Sequence, residues 1–262
     1  MRKFLQWTTA IASAVLLSAC STNALYKNVK TEETFRRIQD TNPQDLGIHA
    51  VSYSYKVTGN AKIDTLSIAM MSGDRLRLTY SKAGKKQFTY IMNGDKSCRL
   101  DAAGKNAEAL SPAAAATLKF FYDINFKDPV KAAKYIALRD VKPIAEGKGK
   151  NKKEYYIFDI TPKEIYGLEK IILKVDAATR NVAAVDFQYP ENEQEVVISN
   201  TYKDVTVKSG LTVAQVIESS FLGEKATYKL TEFAINRSVK ESDFKVPEIE
   251  VKPAVKDAKK AK

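Results

Sequence analysis

Two cysteines, a single histidine and three turn-borne aspartates are the residues of this chain that could do chemistry. His49 is the only imidazole, so a Ser-His-Asp triad, a Cys-His dyad and a His-rich metal site all lack parts. It stands just before an alternating apolar stretch and reads as a strand-entry residue. Cys98 reads as a small buried hydrophobe rather than a nucleophile. Asp74, Asp95 and Asp101 could act as an acid–base set on envelope lipid or glycan. Each lies in or beside a turn, where Asp is favoured for backbone reasons alone. No catalytic residue, metal or cofactor is expected. Cys20 stands apart, because it closes "LLSAC" at the end of the first apolar run.

Arg2 and Lys3 precede that run, which extends from Phe4 to Leu17 and is diluted by Gln6, Thr8, Thr9 and Ser13. A positive start, a short apolar stretch and small residues before a break make a secretory signal peptide. A membrane span needs roughly 20 apolar residues, more than this run supplies. Leu17-Ser18-Ala19-Cys20 resembles the bacterial lipobox. The resemblance implies a diacylglycerol on the Cys20 thiol, cleavage after Ala19 and a further acyl chain such as palmitate. Two or more acyl chains anchor firmly where one does not. With Cys20 modified, no intramolecular disulfide can form. Ser21 follows, where many lipoproteins kept at the inner membrane carry Asp, so the resemblance implies the periplasmic face of the outer membrane.

Loss of residues 1–19 removes Arg2 and Lys3, and the formal charge falls from +11 to +9. A secreted compartment excludes nucleic acid as the counter-charge and leaves anionic lipid headgroups, lipopolysaccharide phosphates or the cell-wall polymer. Lys252, Lys256, Lys259, Lys260 and Lys262 form a Lys/Ala tail over 251–262 that would gain ~1 kcal/mol per Lys near an anionic membrane. A hydrophobic content of 44% suits a globular domain.

After a polar tether over 20–30, "TEETFRRIQD" predicts a helix with Thr31 as N-cap and a stripe of Phe35 and Ile38. The apolar period then falls to two, the spacing of strands. Val51, Tyr53, Tyr55 and Val57 alternate, then Leu66, Ile68 and Met70, then Leu76, Leu78 and Tyr80, then Phe88, Tyr90 and Met92. A short strand surrounds Cys98. Gly-containing turns between these sets mark an antiparallel meander. Two central helices follow, one capped by Ser111-Pro112 and one by Asp128-Pro129. The first carries Leu118, Phe121 and Tyr122, the second Val130, Ala133, Ile136 and Ala137. Alternation returns from Tyr156 to Ile235. The expected fold is mainly β (α+β): a strongly curved antiparallel half-barrel of about 10–11 strands with an N-terminal helix and a central helical lid. Strands and helices do not alternate, which excludes a parallel α/β fold.

Four segments resemble a known family: "GDRLRLTY", "YIMNGDKSCRLDAAGK", "LEKIILKVDAATRNVAAVDF" and the closing "INRSVKESDFKVP". In this order they resemble the periplasmic lipoprotein-carrier (LolA/LolB-like) family, across most of the expected domain, 31–250. The family resemblance implies a curved sheet wrapped around helices and a non-enzymatic role in lipoprotein localisation. This chain departs from the family where the soluble carrier has an arginine that latches its lid; Ser72 or Gly73 falls there. Cys98 or a neighbour replaces an aromatic residue of the family's hairpin. Lipidation of Cys20 fits a tethered member better than a shuttle.

A half-closed sheet with an apolar concave face binds acyl chains by removing methylenes from water, at ~25 cal/mol per Å2. The expected lining is Tyr53, Tyr55, Leu66, Ile68, Met70, Leu76, Leu78, Phe88 and Tyr90, with Phe120, Phe121 and Tyr122 from the lid. The expected ligand is an acylated lipoprotein or other lipid bound by a monomer. The alternative is an envelope sensor or assembly module on the same fold that binds another protein.

Overall fold

The computed structural model describes residues 25–36, 38, 43, 46–127, 132–149, 152–190, 196–237 and 239–248. The stretch expected as a signal peptide, Cys20, and the Lys/Ala tail from Val251 lie outside the described residues, as does Asp128-Pro129-Val130.

The first half is a meander of strands β2 (Ala50–Thr58), β3 (Thr65–Met71), β4 (Arg75–Lys82), β5 (Lys85–Asn93), β6 (Lys96–Leu100) and β7 (Ala107–Ala109). The second half begins with β8 (Ala133–Leu138), β9 (Ile144–Glu146) and β10 (Lys153–Pro162), and continues through β11 (Lys170–Asp176) and β12 (Val182–Tyr189). It ends with β13 (Val196–Lys208), β14 (Leu211–Phe221) and β15 (Glu224–Ile235). A two-residue β1 (Leu25–Tyr26) precedes helix α1 (Val29–Phe35), and helix α2 (Pro112–Phe126) links the two halves.

One sheet contains all of these strands, in the order β1-β8-β10-β11-β12-β13-β14-β15-β2-β3-β4-β5-β6-β7, with β9 on the side of β10. Among the described residues the two meanders join in the sheet where β15 pairs with β2, from Thr227 opposite Thr58 to Ile235 opposite Val51. Every strand pair is antiparallel except the short β1–β8 contact. Between β7 and β8 the chain travels from one sheet edge to the other. Helix α2 makes that crossing over the concave face and packs on β3, β4 and β5.

The alternating sets fall on one face. Val51, Tyr53, Tyr55 and Val57 are buried while Ser52, Ser54 and Lys56 turn outwards, as expected of an antiparallel sheet with one wet side. A second, small apolar cluster of Ile91, Cys98 and Phe244 lies apart from this core, with Val239 and Val246 packed against it. Cys98 is fully buried there, and burial pushes its thiol above the ordinary range. His49 enters β2, its N–H donating to Asn236 Oδ1 (2.7 Å) and its carbonyl accepting from Ser72 N.

Three expectations need correction. The segment expected as a second helix forms β8 over Ala133–Leu138. Opposite Thr161 and Pro162 the register shifts, so that Tyr135 and Ala133 are the partners and Lys134 is extra. The bulge spaces the inward residues Ala133 and Ile136 three apart, which imitates a helical stripe. Thr31 is not the N-cap of α1: Asn28 is, and its Oδ1 accepts from Thr31 N at 2.8 Å. The first strand also begins inside the stretch read as tether. The short strands β1, β7 and β9, with β8, account for the count beyond eleven. Ser111 does cap α2, its Oγ accepting from Ala114 N.

Candidate binding site

The concave face brings together every residue expected to line a cavity. Tyr53, Tyr55, Leu66, Ile68, Met70, Leu76, Leu78, Phe88 and Tyr90 join Phe120, Phe121 and Tyr122 in one cluster. None is more than 4% exposed. Among the described residues the face is covered: α2 is buried on all sides from Phe120 to Phe126, so it sits as a plug between the meanders. Phe120 packs on Tyr166 (5.0 Å between ring centroids) and Phe187 (5.9 Å).

The filling leaves polar atoms stranded. The hydroxyls of Tyr53, Tyr55, Tyr228 and Ser219 are buried and have no hydrogen-bond partner among the described residues. Tyr53 and Tyr55 stack at 6.2 Å on β2, and Tyr228, opposite Val57 on β15, lies on the same face. Burial pushes all three phenols far above their usual range, so each stays a protonated donor.

At the other end of the plug, α2 is held by charge. Lys119, Asp123 and Lys127 lie four residues apart on one stripe. Lys119 Nζ reaches Asp123 Oδ1 at 2.7 Å and Asp74 Oδ2 at 3.1 Å; Lys127 Nζ reaches Asp74 Oδ1 at 2.5 Å. Tyr166 donates to Asp123 Oδ2 (3.0 Å), and Tyr122 donates to the Met71 carbonyl (2.9 Å) while accepting from Asp74 N. Asp74 holds φ +59°, a left-handed conformation that a β3–β4 turn needs. Sequence reasoning missed this cluster, although the Lys-Asp-Lys spacing in α2 was a readable signal.

Burial alone would raise the Asp74 carboxyl from 3.8, but Lys127 and Lys119 outweigh it and hold it lower. Burial would likewise lower Lys119 from 10.5, but Asp123 and then Asp74 hold it higher. The Asp74 contribution is present above 3.8 and is lost as pH falls through its lower native value; the Lys119 contribution is present below 10.5 and is lost above it. Unfolding midpoints compared for the native chain and Asp74→Asn are expected to differ by a constant amount between about pH 5 and 9, and to converge in acid.

Asp74 and Asp95 occupy neighbouring turns, linked by Gly94 N to the Asp74 carbonyl, whereas Asp101 binds its own loop at Lys105 and Asn106 at the opposite end of the strands. The three do not form one site. No cluster of metal-ligating side chains occurs among the described residues.

An open cleft of about 660 Å3 lies where the sheet splays, lined by Lys208, Ser209 and residues Phe233 to Arg237. Strand β14 pairs with β15 only from Val216 to Phe221, while Leu211–Ala214 pair with β13 alone. Beyond Lys229, β15 keeps β2 and loses β14. Phe233 in that cleft packs 5.1 Å from the Tyr53 ring.

This architecture has solved counterparts. A LolA superfamily protein from Nitrosomonas europaea superposes with a TM-score of 0.55 at 12% identity, covering 84% of this chain and 99% of that one. A DUF1329 family protein from Desulfovibrio piger gives 0.57 at 12% identity over 83% and 98%. A domain from Vibrio parahaemolyticus described as outer membrane lipoprotein-sorting gives 0.50 at 12% identity over 75% and 88%. The chain therefore has a LolA-like fold, a mainly antiparallel, curved open sheet with two helices; at 12% identity the likeness is one of fold. No protein-family profile matches the sequence, and no curated protein does. Among the described residues no helix is long and apolar enough to cross a membrane.

Proposed function

We propose that this chain is a lipid-anchored binding protein of the bacterial envelope. Its concave face takes up the acyl chains of a lipoprotein or another amphiphile, and it catalyses no reaction. The stranded hydroxyls of Tyr53, Tyr55, Tyr228 and Ser219 carry this reading. Buried polar atoms almost always have partners, and each one left without costs about 1–3 kcal/mol. A core meant to stay filled would carry Phe at the three tyrosine positions. Hydroxyl donors set in a greasy face suit an occupant with apolar tails and acceptor carbonyls, such as the esters of a diacylated thiol. The splayed cleft beside Phe233 is the entrance, and α2 is the element that must shift. Anchored through Cys20, the protein would serve lipoprotein localisation at the periplasmic face of the outer membrane. The fold shared with a domain described as lipoprotein-sorting supports this.

The chain lacking residues 1–20 is expected to bind a fluorescent C16 fatty acid or a diacylated peptide saturably. Tyr55→Phe is expected to weaken binding about five- to tenfold, the loss of one hydrogen bond, while raising the stability of the empty protein by ~1 kcal/mol. Absence of binding, or a Tyr55→Phe chain unchanged in both respects, would overturn the proposal.

The closed interior itself favours a second reading, an envelope sensor or assembly module that docks another protein without opening. Capture of one stoichiometric protein partner, with the interior still refusing acyl probes, would establish it.

A further inference from the structure

We infer that one end of the sheet, formed by the β2–β3, β4–β5 and β14–β15 turns, docks on an anionic phospholipid surface. These three turns are neighbours, because β14, β15, β2, β3, β4 and β5 are consecutive in the sheet. They and the adjoining strand ends carry Lys56, Lys62, Lys82, Lys85, Lys86, Lys225 and Lys229, all exposed. Their acidic residues are Asp64, Glu218 and Glu224, and Glu218 is taken up by Lys203. Asp64 is already engaged, accepting from Ala83 N at 2.7 Å and Thr65 Oγ1 at 3.1 Å.

The lysines are placed against their own electrostatics. Lys56 and Lys229 stand directly opposite each other across β2 and β15, a like-charge pair that destabilises a sheet. Among the described residues no carboxylate pairs with Lys56, Lys85, Lys86, Lys225 or Lys229. Several cations elsewhere do find partners, among them Arg75 with Glu241, Arg99 with Glu108 and Arg139 with Asp159. A row of unpaired ammonium groups at one end of a sheet answers to an external array of negative charge.

Leu222 adds an apolar element at the same end. It stands at the tip of the β14–β15 turn, 61% exposed, with φ +47° followed by Gly223 at +81°. Hairpin turns with both central residues at positive φ prefer Asn, Asp or Gly at the first position. A branched residue there is disfavoured by the backbone and wasted in water. Against a bilayer it enters the acyl boundary while the lysines meet phosphates, the arrangement of an interfacial anchor.

The course of the chain agrees. Strand β1 runs parallel to β8, with Leu25 opposite Tyr135, and β8 starts at Ala133 opposite Pro162. Followed through the ladder from β10 to β15, that is the end that holds the β14–β15 turn. The chain thus enters the sheet from the basic end. Five residue steps separate Cys20 from Leu25, a reach of at most roughly 18 Å. This last point rests on lipidation of Cys20; the charge and the turn do not.

The test uses the full chain with vesicles of pure phosphatidylcholine and with vesicles containing phosphatidylglycerol, reading each lysine by amine labelling and mass spectrometry. Lys56, Lys85, Lys86, Lys225 and Lys229 are expected to label at least fivefold more slowly on the anionic vesicles. Lys96, Lys148 and Lys208, at the other end of the strands, are expected to label equally on both. Lys85→Glu with Lys86→Glu should abolish the protection. Leu222→Ser should reduce it with no change in the unfolding midpoint. Each lysine removed should lower partitioning about fivefold, equivalent to ~1 kcal/mol. Equal labelling on both vesicles, or protection spread over both ends, would overturn the inference. So would equal protection by polyglutamate at matched charge, which would make this a general polyanion site. None of these readouts depends on acyl binding in the interior.

Discussion

Phe120→Ala is expected to lower the thermal unfolding midpoint by roughly 10 °C. Phe120 is fully buried between Tyr166 and Phe187, and large-to-small changes at such sites cost about 3–5 kcal/mol. A chain of this size loses about 2–4 °C per kcal/mol. The position is informative beyond its cost, because α2 is the only helix crossing the concave face among the described residues. If it is a displaceable plug, the truncation should also admit an apolar fluorescent probe that the native chain excludes or takes up slowly. A midpoint shift without new probe uptake would mean that the surroundings collapse into the space. Calorimetry and probe titration on the same variant separate these results.

The second large effect is expected at Asp123. Asp123 is 6% exposed, and its carboxylate meets Lys119, Lys127 and the Tyr166 hydroxyl. Removing one member of a buried pair can cost 3–5 kcal/mol. Here the lysines keep Asp74 and reach solvent, so the loss should be smaller. Asp123→Ala is expected to cost about 2 kcal/mol, chiefly from stranding the Tyr166 hydroxyl. Asp123→Asn, whose amide oxygen still accepts from Tyr166, should cost less than half as much. Chemical denaturation of the two variants checks the ordering. Equal losses would shift the weight from the hydroxyl to the ion pairs.

Much of the sheet was legible because one face of it is wet. Where Tyr53 and Tyr55 alternate with Ser52 and Ser54, the pattern states which side is inward, and the structure agrees. The Ser111-Pro112 start of α2 was equally local. What failed was local evidence contradicted by distant partners. Ala133, Ile136 and Ala137 have helical spacing, yet pairing with β10 and the bulge at Lys134 draw them into a strand. Two-residue β1 has no period to read. At the site, the sequence named which side chains share the concave face but not whether that face is open. That depends on how α2 crosses from β7 to β8, a matter of sheet order rather than pattern. The stranded hydroxyls were invisible for the same reason, since an absent partner leaves no mark in a sequence. The basic end was hidden because Lys56, Lys85 and Lys229 are far apart in the chain and meet only through strand order.

The seam between β15 and β2 has a consequence for biogenesis. Each meander needs only near neighbours, so both can form early. The strand that must receive β15 is nearly the first made, whereas β15 emerges about 170 residues later. Until then β2 presents an open edge with a greasy side, the kind of surface that attracts wrong partners. Closing over such a separation is slow, so the youngest strand zips onto the oldest as the final act of maturation. Chains released before Ile235 should be the ones that aggregate.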